Sequence, residues 1–433
     1  MTNAWALGSS VLLLIGGLLA GRAGTGPQAR LRATWTAGLA ALLGTGVLVV
    51  CWFGGDAAAL SLGIRAEHHY LVLAAAANPI ICFLATALVP LEGHPPRTFR
   101  GMLGLAAIGS AFLATERPLL LAVLWVASVA WTLLELTRSP RTADAARLFA
   151  LYQVPSALLF VGGAALLVRG STALGAGLLL VGIAIREAAL PVHGWLPTFV
   201  EKAPMGMVVC FCLPQLGVYA HLELLHHVLD PNLVQLVARV GALSALYGAF
   251  LALGQTNVRR IAAYLTMSQT GLVAFGLENH SSIGWSGAVL AWFVQAVGVS
   301  SFLLALGALE ARRGPLRLWE TTGDPHQLPR LGVATLLAGL ATIGAPLTLG
   351  FVAEDLLIQG SVSEHPVLGL LLVIVTAQNA ITVLRVYFGL FTSGPHRPGE
   401  SDLAPREFWA LSFALIVLVM FGLVPGPLVA FIH

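Results

Sequence analysis

Arg186 and Glu187 stand side by side in an apolar stretch, VGIAIREAALPVHGWLPTFVEKAP (residues 181–204), and His193 follows between Pro191 and Pro197. Inside a bilayer each of those charges is costly unless it is paired, hydrated or able to reach the surface. Arginine keeps its proton, so Arg186 can hold a carboxylate or a chain of water but is a poor relay. Histidine takes up and releases a proton near neutral pH, and the two prolines free backbone carbonyls that need donors. A hydrogen-bonded structural histidine beside a kink accounts for the same pattern equally well. A second segment, GQTNVRRIAAYLTMSQTGLVAFGL (254–277), places Thr266, Ser268, Gln269 and Thr270 in the middle of an apolar run. These residues suit a locally unwound helix with a polar lining, or else hydrogen bonding between helices. In a third, ATIGAPLTLGFVAEDLLIQG (341–360), Gly344, Pro346 and Gly350 read as a break, with Glu354 and Asp355 just beyond it. Either these carboxylates lie within the membrane, or they lie past a helix end in water. Arg385, in AQNAITVLRVYFGL, is a further intramembrane charge and a candidate partner for one of them.

The elements that must hold these residues follow from composition. The chain has 433 residues, 57% hydrophobic and 10% charged, with a mean hydropathy of +0.85. A soluble domain carries roughly 25% charged residues, because its surface must be covered with polar groups. Apolar runs long enough to cross the hydrocarbon as helices recur from end to end. They predict an all-α polytopic membrane protein with about fourteen spans, at 4–21, 34–53, 70–90, 101–115, 118–136, 149–168, 174–197, 204–225, 238–256, 261–277, 285–310, 331–358, 367–391 and 408–431. With the N-terminus outside, the inside loops collect 17 Lys and Arg residues and the outside loops hold only Arg65, Arg117, Arg169 and Arg239. That bias places both termini on the exterior or periplasmic side. The start of the chain lacks a charged leader and reads as a first membrane helix. The loop over 311–330 is expected to pack as a small cap or a lateral linker.

Several function classes lose support. The net charge is +3 and no basic run is interleaved with aromatic residues, so no nucleic-acid partner is expected. Cys51, Cys82, Cys210 and Cys212 all lie in apolar segments, which suits inert buried thiols. There is no phosphate loop, no H-E-x-x-H and no defensible haem pairing, so neither a metal nor a cofactor is expected, and the chain shows no self-contained enzyme site. Gly-rich runs such as LFVGGAAL read as close-packing surfaces between helices.

The blocks ALPVHGWLPTFVEKAP, LPQLGVY, VRRIAAYLTMSQTG and GAPLTLGFVAEDLL, in that order, resemble the antiporter-like subunits of respiratory complex I and of Mrp-type cation/proton antiporters. The resemblance covers about 115–395 and is weak over the first hundred residues. It implies fourteen core helices, two inverted five-helix repeats and discontinuous seventh and twelfth helices. The chain is then one membrane domain over 1–433, with N-terminal helices (1–100), a first repeat (101–256), a second repeat (257–392) and a C-terminal helix (393–433).

The resemblance also implies a mid-membrane file of Glu, Lys and His, and here the sequence departs from it. The fifth-helix glutamate falls near Val126, the seventh-helix lysine on Arg186 and the eighth-helix lysine on Gln215. The histidine after AYLTMS falls on Gln269. In AWFVQAVGVSSF the histidine falls on Gln295 and the lysine near Val299. The twelfth-helix charge persists as Glu354, with Asp355 behind it. Glutamine hydrogen-bonds but does not titrate. The fold signals therefore survive better than the relay signals.

Two functions are expected. The first is a proton- or sodium-translocating subunit of a larger energy-coupling complex in the bacterial inner membrane, with an altered path through Arg186, Glu187, His193, Gln215, Gln269, Glu354, Asp355 and Arg385. The second is a non-pumping scaffold that anchors a catalytic partner, including one for bicarbonate or CO2 uptake; a hydrogenase-linked setting is also allowed. Either implies lipid, other membrane subunits and a larger peripheral or catalytic subunit as partners. A stand-alone transporter is disfavoured by the scarcity of substrate-binding polar groups.

Overall fold

The computed structural model describes residues 4–61, 69–91, 95–226, 228–278, 281–320, 323, 327–364, 366–392 and 400–432. Arg65, Arg397 and both chain ends lie outside them. Among the described residues there is no sheet, only an isolated bridge between Asn257 and Arg317. The helices are α1 (Ala4–Gly21), α2 (Gly26–Ser61), α3 (Tyr70–Leu88), α4 (Pro96–Phe112), α5 (Pro118–Thr137), α6 (Ala143–Val168), α7 (Thr172–Arg186), α8 (Trp195–Lys202), α9 (Met205–Cys212), α10 (Leu216–Leu224), α11 (Pro231–Gly254), α12 (Val258–Leu277), α13 (Ser282–Val294), α14 (Ser300–Arg313), α15 (Pro329–Thr342), α16 (Leu349–Glu364), α17 (Pro366–Phe391), α18 (Pro405–Leu423) and α19 (Gly426–Ile432). A π segment, Gln295–Val299, joins α13 to α14.

Each expected span coincides with one helix or with consecutive helices. Nine stretches among the described residues are long and apolar enough to cross a membrane. Local chemistry sets the ends. α4, α5, α11, α15, α17 and α18 open on proline, whose missing N–H is no loss at a first helical position. The Asn257 side chain caps α12 by accepting from the N–H groups of Arg259 and Arg260.

The seventh and twelfth spans are interrupted, as the resemblance implies. Between α7 and α8 the chain passes through Ala188 in the left-handed region (φ 54°) and then Pro191. The break between α15 and α16 carries left-handed φ at Gly344 (69°) and Leu347 (74°). One local expectation needs correction, and one open choice is decided. The eighth span, 204–225, is not one helix: Pro214 cannot donate to the carbonyl one turn back, α9 stops at Cys212, and α10 restarts after Gln215 at φ 46°. Of the two readings open for the polar run 266–270, unwinding does not occur: α12 is continuous, and the hydroxyls of Thr266 and Thr270 bond back to the carbonyls of Ala262 and Thr266.

The chain divides into two compact units, Met1–Thr86 with His94–Val240, and Ala87–Gly93 with Gly241–His433. The divisions fall near the end of α3 and inside α11. In the first unit α6 and α7 approach closely through small residues: a Cβ on Gly163 would lie 2.8 Å from the Gly175 carbonyl, and one on Gly182 would lie 3.0 Å from that of Ser156. In the second unit the described part of the 311–330 loop packs on helix ends. The Val258 N–H donates to Leu316 O at 3.2 Å and the Leu318 N–H to Thr256 O at 2.9 Å. Beside it Arg313, buried, donates to Glu400 at 2.7 Å and to Leu390 O at 2.9 Å, while Arg312 donates to Glu407 at 2.7 Å. The Asp402 carboxylate accepts from the first N–H groups of α15, those of Arg330 and Leu331.

Candidate ion pathway

In the first unit the sequence-predicted residues gather where two helix breaks meet. Arg186 is the last residue of α7 and is buried. Its Nη1 donates to Ser128 Oγ of α5 at 2.9 Å, and its guanidinium lies over the rings of Trp125 (4.6 Å) and Phe211 (4.2 Å). Trp125 is fixed in turn by stacking on Phe160 at 4.1 Å. Val126, near the place of the family glutamate, is exposed, so α5 presents a hydroxyl and an indole to the guanidinium. Glu187 turns to the neighbouring break, where its Oε1 accepts from the Gly217 N–H in the first turn of α10 at 2.8 Å. A carboxylate suits the positive end of that helix. Only glycine leaves the space, since a Cβ at 217 would lie 2.5 Å from the same oxygen. Gln215, buried, occupies the left-handed corner that starts α10. His193 lies half-buried in the connection from α7 to α8. The carbonyl of Ile185 near the end of α7 is satisfied by Trp195 Nε1 at 2.9 Å. The signal for much of this was weak: Trp125 and Ser128 of α5 and Phe211 of α9 are far from Arg186 in the chain, and no motif joins them.

Gln153 of α6 escaped the sequence reading altogether. It is fully buried, and neither atom of its amide meets a hydrogen-bond partner among the described residues. Ser156 Oγ donates to Gly182 O at 2.7 Å. In this antiparallel pair, three residues back on α6 matches three residues forward on α7, so Gln153 lies level with the end of α7 that carries Arg186.

In the second unit Glu354 of α16 reaches back over the twelfth-span break. A Cβ at Gly344 would lie 2.5 Å from its Oε2, and its Oε1 is buried with no hydrogen-bond donor among the described residues. Gln269 Nε2 lies 3.5 Å from Thr342 O, the last carbonyl of α15. Gln295, in the π segment, donates to Thr270 Oγ1 at 2.8 Å and to Thr266 O at 3.2 Å, and Asn379 donates to Ser268 Oγ at 3.0 Å. The polar run of α12 therefore ties α12 to its neighbours.

Two expected members stand apart from Glu354. Arg385 is not its partner and does not pair with Asp355: its Nη1 donates to Leu253 O, at the end of α11, where a cation meets the negative pole of the helix. Asp355 lies on the exposed face of α16, and its carboxylate accepts from Gln359 Nε2 at 2.8 Å. Among the described residues no cluster of His, Cys, Asp and Glu could hold a metal ion.

Comparison with known proteins agrees with this geometry. The chain is 29% identical over 259 residues to the F(420)H(2) dehydrogenase subunit M of Methanosarcina mazei, covering 58% of this chain and 52% of that one. It is also 29% identical over 258 residues to NADH-quinone oxidoreductase subunit 13 of Thermus thermophilus, covering 58% and 54%. The matched region thus spans about half the length of these curated relatives. In fold the chain is similar to a chain of respiratory complex I from Thermus thermophilus (TM-score 0.84, 21% identity, 99% of both chains). It is similar also to a chain of the Mrp complex from Dietzia sp. (TM-score 0.85, 18% identity, 99% of this chain and 96% of that one). The family model described as NADH:quinone oxidoreductase/Mrp antiporter, TM, matches residues 118–380, the stretch that contains both helix breaks and every polar residue above except Arg385, and this multi-pass membrane protein belongs to that family.

Proposed function

We propose that the chain is a proton- or sodium-translocating membrane subunit of a larger energy-coupling complex. Arg186, Glu187, His193 and Gln215 line one stretch of the path, and Gln269 and Glu354 line another. Asp355 and Arg385 stand outside it. The two stretches belong to the two inverted repeats, 101–256 and 257–392, each with its own broken helix, and both termini face the exterior side of a bacterial inner membrane. Glu354 is the observation that carries this reading. A carboxylate held at a helix break, with a buried oxygen that meets no donor among the described residues, is expensive in hydrocarbon unless a cation comes and goes there.

A second reading has its own observation. Arg186 is held by a hydroxyl and two aromatic rings, and Gln215 and Gln269 cannot titrate. A non-pumping scaffold that docks a catalytic partner, including one for inorganic-carbon uptake, would look like this. One experiment separates the two: Glu354→Gln in the intact complex, reconstituted in proteoliposomes, with ion flux followed by a pH-sensitive or sodium-sensitive dye. Loss of flux with normal assembly is expected. Unchanged flux with normal assembly would refute translocation through this chain and favour the scaffold.

A further inference from the structure

Five arginines gather at one end of the first unit, on segments that carry no acid. No Asp or Glu occurs in residues 1–55 or 93–115, which hold Arg22, Arg30, Arg32, Arg97 and Arg100. Contacts between helices fix their levels. Gly16 of α1 faces Thr36 of α2, and Ser10 Oγ donates to Ala107 O of α4 at 2.8 Å. A Cβ on Gly17 would lie 3.5 Å from Leu103 Cβ, and one on Gly21 would lie 2.8 Å from Arg100 Cδ. α1 is therefore antiparallel to both α2 and α4. Counting from Gly16 with Thr36, and from Gly17 with Leu103, puts Arg22 level with Arg30 and with residue 98. Arg32, Arg97 and Arg100 fall within two residues of that level, or about 3 Å at 1.5 Å per residue.

Arg22, Arg32 and Arg97 are exposed and Arg100 is half-buried. None of these four meets a carboxylate among the described residues, and Arg32 commits one of its five donors to Leu19 O at 2.9 Å. Arg138, Arg259 and Arg313, by contrast, each meet a glutamate: Glu135, Glu310 and Glu400. α4 also begins here and adds the positive pole of a 17-residue helix. One turn deeper the surface turns apolar. Leu18 and Leu19 precede Arg22 on α1, Trp35 follows Arg32 on α2, and all three are exposed. An exposed indole next to a band of charge is the pattern of a helix at the membrane–water boundary.

We infer that this end of the first unit binds an anionic phospholipid, with its phosphodiester among Arg22, Arg32, Arg97 and Arg100 and its acyl chains along Leu18, Leu19 and Trp35. Guanidinium groups match phosphate oxygens with paired hydrogen bonds. Basic pockets between membrane helices hold such headgroups. A free phosphate, or an acidic loop of another subunit, would use the arginines but not the apolar turn below them.

The test uses the full-length chain, purified with the subunits it retains and placed in phosphatidylcholine nanodiscs. These contain a small fraction of phosphatidylglycerol or phosphatidylcholine, each with the same photoreactive diazirine in its acyl chain. Adducts are mapped by mass spectrometry. The glycerol lipid should label the peptides around Leu18, Leu19 and Trp35 several-fold more than the choline lipid does. That preference should fall about tenfold in the Arg22→Gln/Arg97→Gln double variant, survive in Arg22→Lys/Arg97→Lys, and be unchanged in Arg141→Gln, an exposed arginine elsewhere. If the double variant does not assemble, rising salt on the wild-type chain decides, since the preference must fade as exposed charges are screened. Equal labelling by the two lipids, or a preference that ignores both salt and the glutamines, would overturn the inference. Loss of the preference in inorganic phosphate but not in chloride of equal ionic strength would assign the site to a free anion and overturn it too. Adducts that appear only after partner subunits are stripped away would give the patch to a partner instead.

Discussion

Arg186→Met and Ser128→Ala together test what the buried guanidinium does. Arg186 gains one charge-assisted hydrogen bond to Ser128, worth about 1.5–3 kcal/mol, and two ring contacts, worth up to about 2 kcal/mol each when desolvated. Against this stands a burial penalty of several kcal/mol for the charge. Methionine removes that penalty, adds about 1.5–3 kcal/mol of apolar burial and keeps sulfur–aromatic contact with Trp125 and Phe211. The opposing contributions nearly cancel, so Arg186→Met should change stability by no more than about 2 kcal/mol. Ser128→Ala does the reverse: it leaves the charge buried and removes its hydrogen-bond acceptor, at a cost of about 1–3 kcal/mol. The conservative-looking serine substitution should therefore lower the thermal midpoint of the detergent-solubilised chain more than loss of the arginine does. Flux through the complex should fail in Arg186→Met nonetheless. The reverse order of midpoints would refute this reasoning and make Arg186 a structural pillar.

Three further substitutions probe other contacts. Gly217→Ala should displace the Glu187 carboxylate and cost about 1–3 kcal/mol, read as a lowered thermal midpoint; adding Glu187→Ala should cost less than the sum of the two single changes, because the clash has gone. Gln153→Met should be neutral or stabilising, by up to about 1–3 kcal/mol, since it replaces a buried amide whose atoms meet no partner. Glu400→Ala should cost about 3–5 kcal/mol because it leaves Arg313 buried and uncompensated, and limited proteolysis near residue 400 should then accelerate.

The helices were legible because hydrocarbon demands long apolar runs and because prolines and asparagine mark where they begin. The breaks in the seventh and twelfth spans were legible from Pro191 and from Gly344 with Pro346. The break at Pro214 was passed over, since LPQLGVY is apolar enough to read as continuous helix. In α12 the sequence left unwinding and bonding between helices both open; the threonine hydroxyls bond to carbonyls one turn back, the helix stays intact, and Gln295 and Asn379 bond to it from neighbouring elements. Contacts at long range had no such local mark. Arg385 reaches a carbonyl 132 residues away, and Trp125, Ser128 and Phe211 meet Arg186 only because three helices converge. A lone glutamine such as Gln153 carries no signal in a sequence, whatever its burial.

The grip of Glu187 on the first turn of α10 means that the two interruptions in the first unit act as one joint. A single carboxylate just past the end of one rod holds the restart of another. Whatever draws that oxygen away, a proton, a passing cation or a shift of Arg186 beside it, removes a bond that both interruptions share. The two gaps are thus linked directly, with no intervening residue between the carboxylate and the first turn of α10.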